Sequence, residues 1–145
     1  MASLVSLAVR TIHVLAITVV VGSTVALWYG YRSGGTAALT VARQYEWFFW
    51  GALGAVALTG VGNLGALGPP GPATDWGRLL LVKLGVVLAL AVGSAVRTLV
   101  VVRAADGGGK GSVTPGLRGT LERAYGLTAG TLVVLVVLAE VLAHG

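Results

Sequence analysis

The sequence predicts an all-α integral membrane four-helix bundle with both termini external (N-out/C-out), and three observations carry that reading. Four apolar stretches, at about 4–29, 47–67, 79–102 and 124–142, fill most of the 145 residues. A helix rises about 1.5 Å per residue, so roughly 20 residues cross a hydrocarbon core of about 30 Å. Composition agrees: 56% of residues are hydrophobic, 10% are charged, and the mean hydropathy is +0.90. A soluble bundle needs a polar face on every helix, whereas Leu79-Leu80-Leu81-Val82 and Leu132-Val133-Val134-Leu135 are apolar all round. The third observation is an uneven distribution of Lys and Arg, which sets the orientation. Barrel strands would alternate polar and apolar residues, and the run 132–139 does not.

The first stretch closes on Trp28, Tyr29 and Tyr31. It is long for a signal-peptide core, lacks a preceding basic residue and shows no small-residue cleavage site, so it reads as a retained span. The second opens on Tyr45, Trp47, Phe48, Phe49 and Trp50, which together with the first group read as an interfacial aromatic belt. It is rich in small residues, and Gly51, Ala55, Thr59 and Asn63 recur every four positions on one stripe. In lipid, close backbone approach and interhelical hydrogen bonds drive packing. Asn63 is therefore expected to bond inside the bundle, and the stripe to meet either this chain or another copy. A homo-oligomer or a larger membrane complex is the corresponding partner expectation. Gly68-Pro69-Pro70-Gly71-Pro72 cannot continue a helix and reads as a stiff turn before the third span, which Trp76 introduces. After that span, 104–117 reads as a flexible linker. It is no phosphate loop, because Lys110 is followed by Gly111 and no strand precedes it.

Orientation follows from the connections. Those at 30–46 and 103–123 carry Arg32, Arg43, Arg103, Lys110, Arg118 and Arg123; the opposite side has Arg78 and Arg10. Basic residues gather on the cytoplasmic side, so the chain is expected in the cell membrane with both termini external. The net charge of +5 is thus a topology signal with anionic-lipid contact. No dense basic patch interleaved with aromatics points to nucleic acid. The chain has no cysteine, hence no disulfide and no thiolate.

Ionisable groups inside a membrane cost a few kcal/mol each and call for a partner or a task. Arg10 and His13 share a face of the first helix, Lys83 lies about 10 Å into the third, and Glu140 approaches from the fourth. With Asp75, Arg78 and His144 they form an outer-leaflet cluster, the one candidate site, with Asn63 as a further polar support. Glu46 and Arg97 fall in the inner half. Structural readings stand beside the functional one. Arg78 and Lys83 can snorkel, Arg10 and Glu140 can pair, and His13 can bond a backbone carbonyl. As a metal site the set is thin, with His13 its main ligand. No nucleophile has an evident base, so catalysis is not indicated.

Several elements resemble the copper-resistance D (CopD-like) membrane family. They are His13 with Gly22, Thr59-Gly60-Val61-Gly62-Asn63, the Trp76-Gly77-Arg78 opening with Leu79, Leu80, Lys83 and Leu84, Arg97 or Arg103, and Leu121-Glu122-Arg123. The Trp usually found two residues before the first-helix Gly is Val20 here, and the chain is expected to be the four-helix domain alone. The resemblance implies copper binding or transport, with His13 as ligand or gate and Arg78 and Lys83 shaping the site. More distantly the chain is similar to HemJ-type protoporphyrinogen oxidases. That resemblance implies a haem b alternative, in which His13 ligates iron and Arg78 and Lys83 face the propionates. A non-catalytic accessory subunit is the third reading.

Overall fold

A computed structural model shows four helices in chain order: α1 (Leu4–Arg32), α2 (Leu39–Leu67), α3 (Asp75–Asp106) and α4 (Pro115–His144). The structure describes residues 3–34, 38–68, 71–107 and 113–144, apart from the side chains of 63–67 and of His144. Pro69, Pro70, Lys110 and Gly145 lie outside it, as do the side chains of Asn63 and His144.

The helices outrun the apolar stretches that predicted them. The connections expected at 30–46 and 103–123 shrink, and the ends of the expected linker 104–117 are helical. Hydropathy marks where lipid lies; caps and packing mark where a helix stops. Ser3 accepts the Ser6 N–H at 3.2 Å, and Thr74 accepts that of Gly77 at 3.1 Å with Asp75 in the first turn. Thr114 accepts the Leu117 N–H at 3.3 Å. At the end of α1 the Ser33 N–H returns to Tyr29 O, and the Arg118 Nε donates to Tyr31 O at 2.8 Å. Four orphan carbonyls end every helix, and a guanidinium from α4 answers one of those on α1.

Successive helices run antiparallel. α1 packs on α2 and α4, and α3 packs on the same two, so the helices form a ring with α1 diagonal to α3. One end of the bundle holds Arg32, Arg43, Arg103, Arg118 and Arg123 and is called the basic end below; the other is the distal end. The packing is lopsided. The buried apolar core is Val20, Leu27, Tyr31, Leu39, Ala42, Tyr45, Phe49, Leu90, Val101, Leu121, Tyr125 and Leu132, with Ala129 beside them. On α1 it begins at Val20, and on α2 it ends at Phe49. It extends from the middle of the bundle to the basic end, while the described apolar side chains of the distal half are half-buried or exposed.

The aromatic belt expected around residue 45 divides by helical period. Tyr45 and Phe49 are buried in the core, while Trp47 and Phe48 face outward. On α1, Tyr31 is buried and Tyr29 is exposed. The glycine stripe of α2 divides too: Thr59 turns inward, whereas Gly51 is exposed in a shallow apolar groove with Ile12, Leu15 and Phe48.

Three helices are long and apolar enough to cross a membrane: Leu4–Arg32, Asp75–Asp106 and Pro115–Ala143. Little of their apolar surface is buried within the bundle, which leaves Leu7, Leu15, Leu88, Val92, Leu127 and Val137 exposed for lipid. Over the described residues α2 falls short of the same measure. The fold is that of a helical membrane protein.

Candidate functional site

Two polar centres occupy the bundle, one in each half. In the distal half His13 on α1 faces Thr59 on α2, with 2.7 Å between Nδ1 and Oγ1. Gly60 lies beside the ring, where a Cβ would meet His13 Cε1 at 3.7 Å, an ordinary contact. Thr59 Oγ1 also bonds its own helix, donating to Ala55 O at 2.7 Å. Lys83 on α3 enters from across the ring, half-buried and within electrostatic reach of His13. Among the described residues Lys83 makes no ion pair.

Other expected members of this cluster sit at its rim. Arg10 is exposed in a groove with Leu7, Thr11 and Val14, and no ion pair joins it to Glu140 among the described residues. Arg78 is exposed and pairs with Asp75 at 3.7 Å on its own helix. Glu140 is exposed on α4 and has an interaction of its own. The expected contributions of Asn63 and His144 concern side chains outside the described residues. Thr59, which the sequence places on the small-residue stripe of α2, is a partner of His13 that the sequence pattern does not indicate.

The second centre is built more tightly and lies toward the basic end. Glu46 on α2 and Arg97 on α3 form a two-pronged ion pair, Nε to Oε1 at 2.8 Å and Nη2 to Oε2 at 3.0 Å. Both are almost fully buried, Glu46 at 1% and Arg97 at 2% exposure. The Tyr125 hydroxyl donates to Oε1 at 2.8 Å, and Thr98 Oγ1 lies 2.5 Å from Oε2. Arg97 Nη1 donates to Thr128 Oγ1 at 2.6 Å, and the Trp50 indole donates to Thr98 Oγ1 at 3.0 Å. Aromatic faces surround the guanidinium: Phe49 at 4.6 Å, Tyr125 at 5.0 Å and Tyr45 at 5.5 Å from Cζ. The Tyr45 hydroxyl in turn bonds Thr24 on α1. Every carboxylate oxygen thus has two partners, which is what a buried charge requires. Next to Arg97 in the buried face of α3, the Ser94 hydroxyl has no hydrogen-bond partner among the described residues.

Sequence reasoning placed Glu46 and Arg97 together in the inner half but assigned them no partners. The signal was available: an acid near the start of one apolar helix and a base near the end of the next meet when the two run antiparallel.

The described residues contain no group of three His, Cys, Asp or Glu side chains that could hold a metal ion. One imidazole, one hydroxyl and one ammonium make the distal centre a polar station in an open half-bundle. The basic-end centre is a closed structural network in which each carboxylate oxygen and each guanidinium nitrogen has a partner.

Fold and centres together define a small polytopic helical membrane protein with a sealed half and an open half. A family model described as copper resistance protein D matches residues 39–142, spanning α2, α3 and nearly all of α4. The chain belongs to the copper resistance protein D (CopD) family, which makes it a membrane protein of a copper-resistance family. The CopD resemblance drawn from the sequence is therefore correct. Helix α1, with His13, precedes the matched region. No curated protein and no solved structure matches the chain.

Proposed function

We propose that this CopD-family protein handles copper as cargo at the distal half of the bundle, with His13 as the ligating side chain. The observation that carries the reading is the His13–Thr59 hydrogen bond. With the Thr59 proton directed to Ala55 O, its oxygen accepts from His13 Nδ1–H, and that tautomer leaves Nε2 with a lone pair. A hydrogen bond on the other ring nitrogen orients metal-ligating histidines generally. Lys83 shapes the station from α3, and Arg78 stands at its mouth. A single imidazole suits an ion in passage better than a resident centre, which takes three or four protein ligands. All four helices span the cell membrane in this reading, with the basic end cytoplasmic and the distal half open to the outside.

The test is equilibration of the purified protein in nanodiscs with Cu(I), Cu(II) and Zn(II), followed by metal analysis. Copper retained by the native protein and lost in His13→Ala is the expected result. No copper retained, or retention equal in His13→Ala, would overturn the proposal. The same preparation, supplemented with haem, is expected to show no Soret band.

A further inference from the structure

We infer that the outer face of the α1–α2 seam seats one phospholipid of net negative headgroup charge, with its phosphate on Arg10 and an acyl chain along the groove below. The inference rests on the membrane fold alone and is independent of the copper reading.

Charge sets the headgroup end. Arg10 is exposed on the side that α1 turns to lipid, in a furrow with Leu7, Thr11, Val14 and Leu15. The Thr11 hydroxyl donates to Leu7 O at 2.9 Å, so its proton is already used. Arg10 has no ion-pair partner among the described residues. Of the acids toward the distal end, Asp75 pairs with Arg78 at 3.7 Å and Glu140 has an interaction of its own. A guanidinium at a lipid-facing position calls for an anion, and its planar fork fits two phosphate oxygens at once. The phosphate of a lipid lies at the right level. The 29 residues of α1 make a helix of about 43 Å, which overhangs a hydrocarbon core of about 30 Å by roughly 6 Å at each end. Arg10 stands about 9 Å from the start of α1, within reach of the interface for a long side chain. A zwitterionic headgroup would bring its own cation beside the guanidinium; an anionic one does not.

Shape sets the acyl end. Leu15 also lines a second, apolar furrow, whose other walls are Ile12, Ala16 and Val19 of α1 and Phe48, Gly51 and Ala52 of α2. Gly51 keeps it open, since nothing stands within 4 Å of where its Cβ would be. From Arg10 to Val19 the helix rises about 14 Å, close to half of a hydrocarbon core of about 30 Å. The two furrows together thus run from headgroup to midplane, the length of one lipid in one leaflet. They stop at Val19, and the apolar core of α1 begins at Val20. The lipid braces from outside the stretch of the seam that the core does not hold from inside.

The test uses the full chain in phosphatidylcholine nanodiscs doped, in turn, with phosphatidylglycerol and phosphatidylcholine probes bearing the same diazirine acyl chain. After photolysis the crosslinked peptides are mapped. In the native protein, capture at 7–19 and 48–52 should favour the phosphatidylglycerol probe by about fivefold, the scale of one basic residue at a membrane surface. That preference should fall to near one in Arg10→Gln and persist in Arg10→Lys. Capture at the exposed valines of 133–137 on α4 should be the same in all three proteins, which separates loss of the site from misfolding. Gly51→Leu, a change on an exposed face, should lower capture of either probe at 12–19. Equal capture of the two probes by the native protein, a preference unchanged in Arg10→Gln, or capture unchanged in Gly51→Leu would each overturn the inference.

Discussion

Arg97 meets two carboxylate oxygens, a threonine hydroxyl and three aromatic rings, so its planar fork is used on its edge and on its faces. Removing one member of such a pair leaves an uncompensated charge out of water. Glu46→Gln or Arg97→Met should each destabilise the protein by about 3–5 kcal/mol. The double substitution Glu46→Leu/Arg97→Met should be milder than the sum of the singles, because no lone charge remains. Thermal unfolding in one detergent reads all three, and additive losses would show that the pair is not coupled. At the distal centre, Thr59→Val removes the acceptor that fixes His13 Nδ1. If copper is ligated there, affinity should fall about 10–100-fold while the melting temperature barely moves, with Thr59→Ser retaining most of it. A variant that binds copper normally would show that the hydrogen bond does not position the ring.

Helix contacts turn on a few glycines and ignore the others. A Cβ on Gly126 of α4 would stand 2.9 Å from the Trp28 indole nitrogen and 3.0 Å from its Cδ1, so α1 and α4 touch through a missing side chain. Gly130, one turn on, has open space where its Cβ would be. Gly126→Ala should therefore destabilise by about 1–3 kcal/mol by pushing the ring aside. Gly130→Ala should be neutral or stabilising by up to about 1 kcal/mol, since it restores helix propensity. Equal melting temperatures for the two variants would remove the distinction. Gly77 is stricter, because a Cβ there would collide with Gly71 O and crowd Pro72 Cα at 2.9 Å, both backbone atoms that cannot swing away. This glycine belongs to the Trp76-Gly77-Arg78 element that carried part of the family resemblance, and its geometry supplies a physical reason for the residue. The Trp76 indole adds a bond to Leu142 O at 3.2 Å, closing α3 onto the end of α4.

Taken whole, the molecule is tight toward one end and loose toward the other, and the sequence disclosed these halves unequally. Helix number and the membrane environment were legible because apolar runs of span length have few alternatives in lipid. Helix ends were not, since Arg43, Gln44 and Glu46 read as loop by polarity but lie on α2, where Glu46 turns to the interior. The distal cluster was legible as residues at similar depth. Which of them face one another depends on helix rotation, and that brought Thr59 to His13 while leaving Arg10 and Arg78 exposed. The tyrosines illustrate the same limit, because an interfacial belt and a cage around a buried guanidinium have similar compositions. Orientation is testable directly, as the chain has no cysteine. With Cys placed at Ser112 and, separately, at Ala73, an impermeant thiol reagent on intact cells should label the Ala73 probe and spare the Ser112 probe. The reverse pattern would invert the topology and the side on which His13 is reached.

The Glu46–Arg97 pair also constrains how the chain is made. The partners lie 51 residues apart, so Glu46 leaves the ribosome well before the arginine that neutralises it. Until α3 follows, α2 offers the membrane a carboxylate with no counter-charge. Biogenesis should therefore hold α2 at the interface or against the insertion machinery and release it only with α3. In a nascent chain truncated before Asp75, a Cys probe replacing Ala57 in α2 should react with an aqueous thiol reagent, whereas in one extended through Asp106 it should be protected. In the truncated chain, Glu46→Leu should restore protection on its own. The contact that seals the finished protein is thus also an obligation on the order of its synthesis.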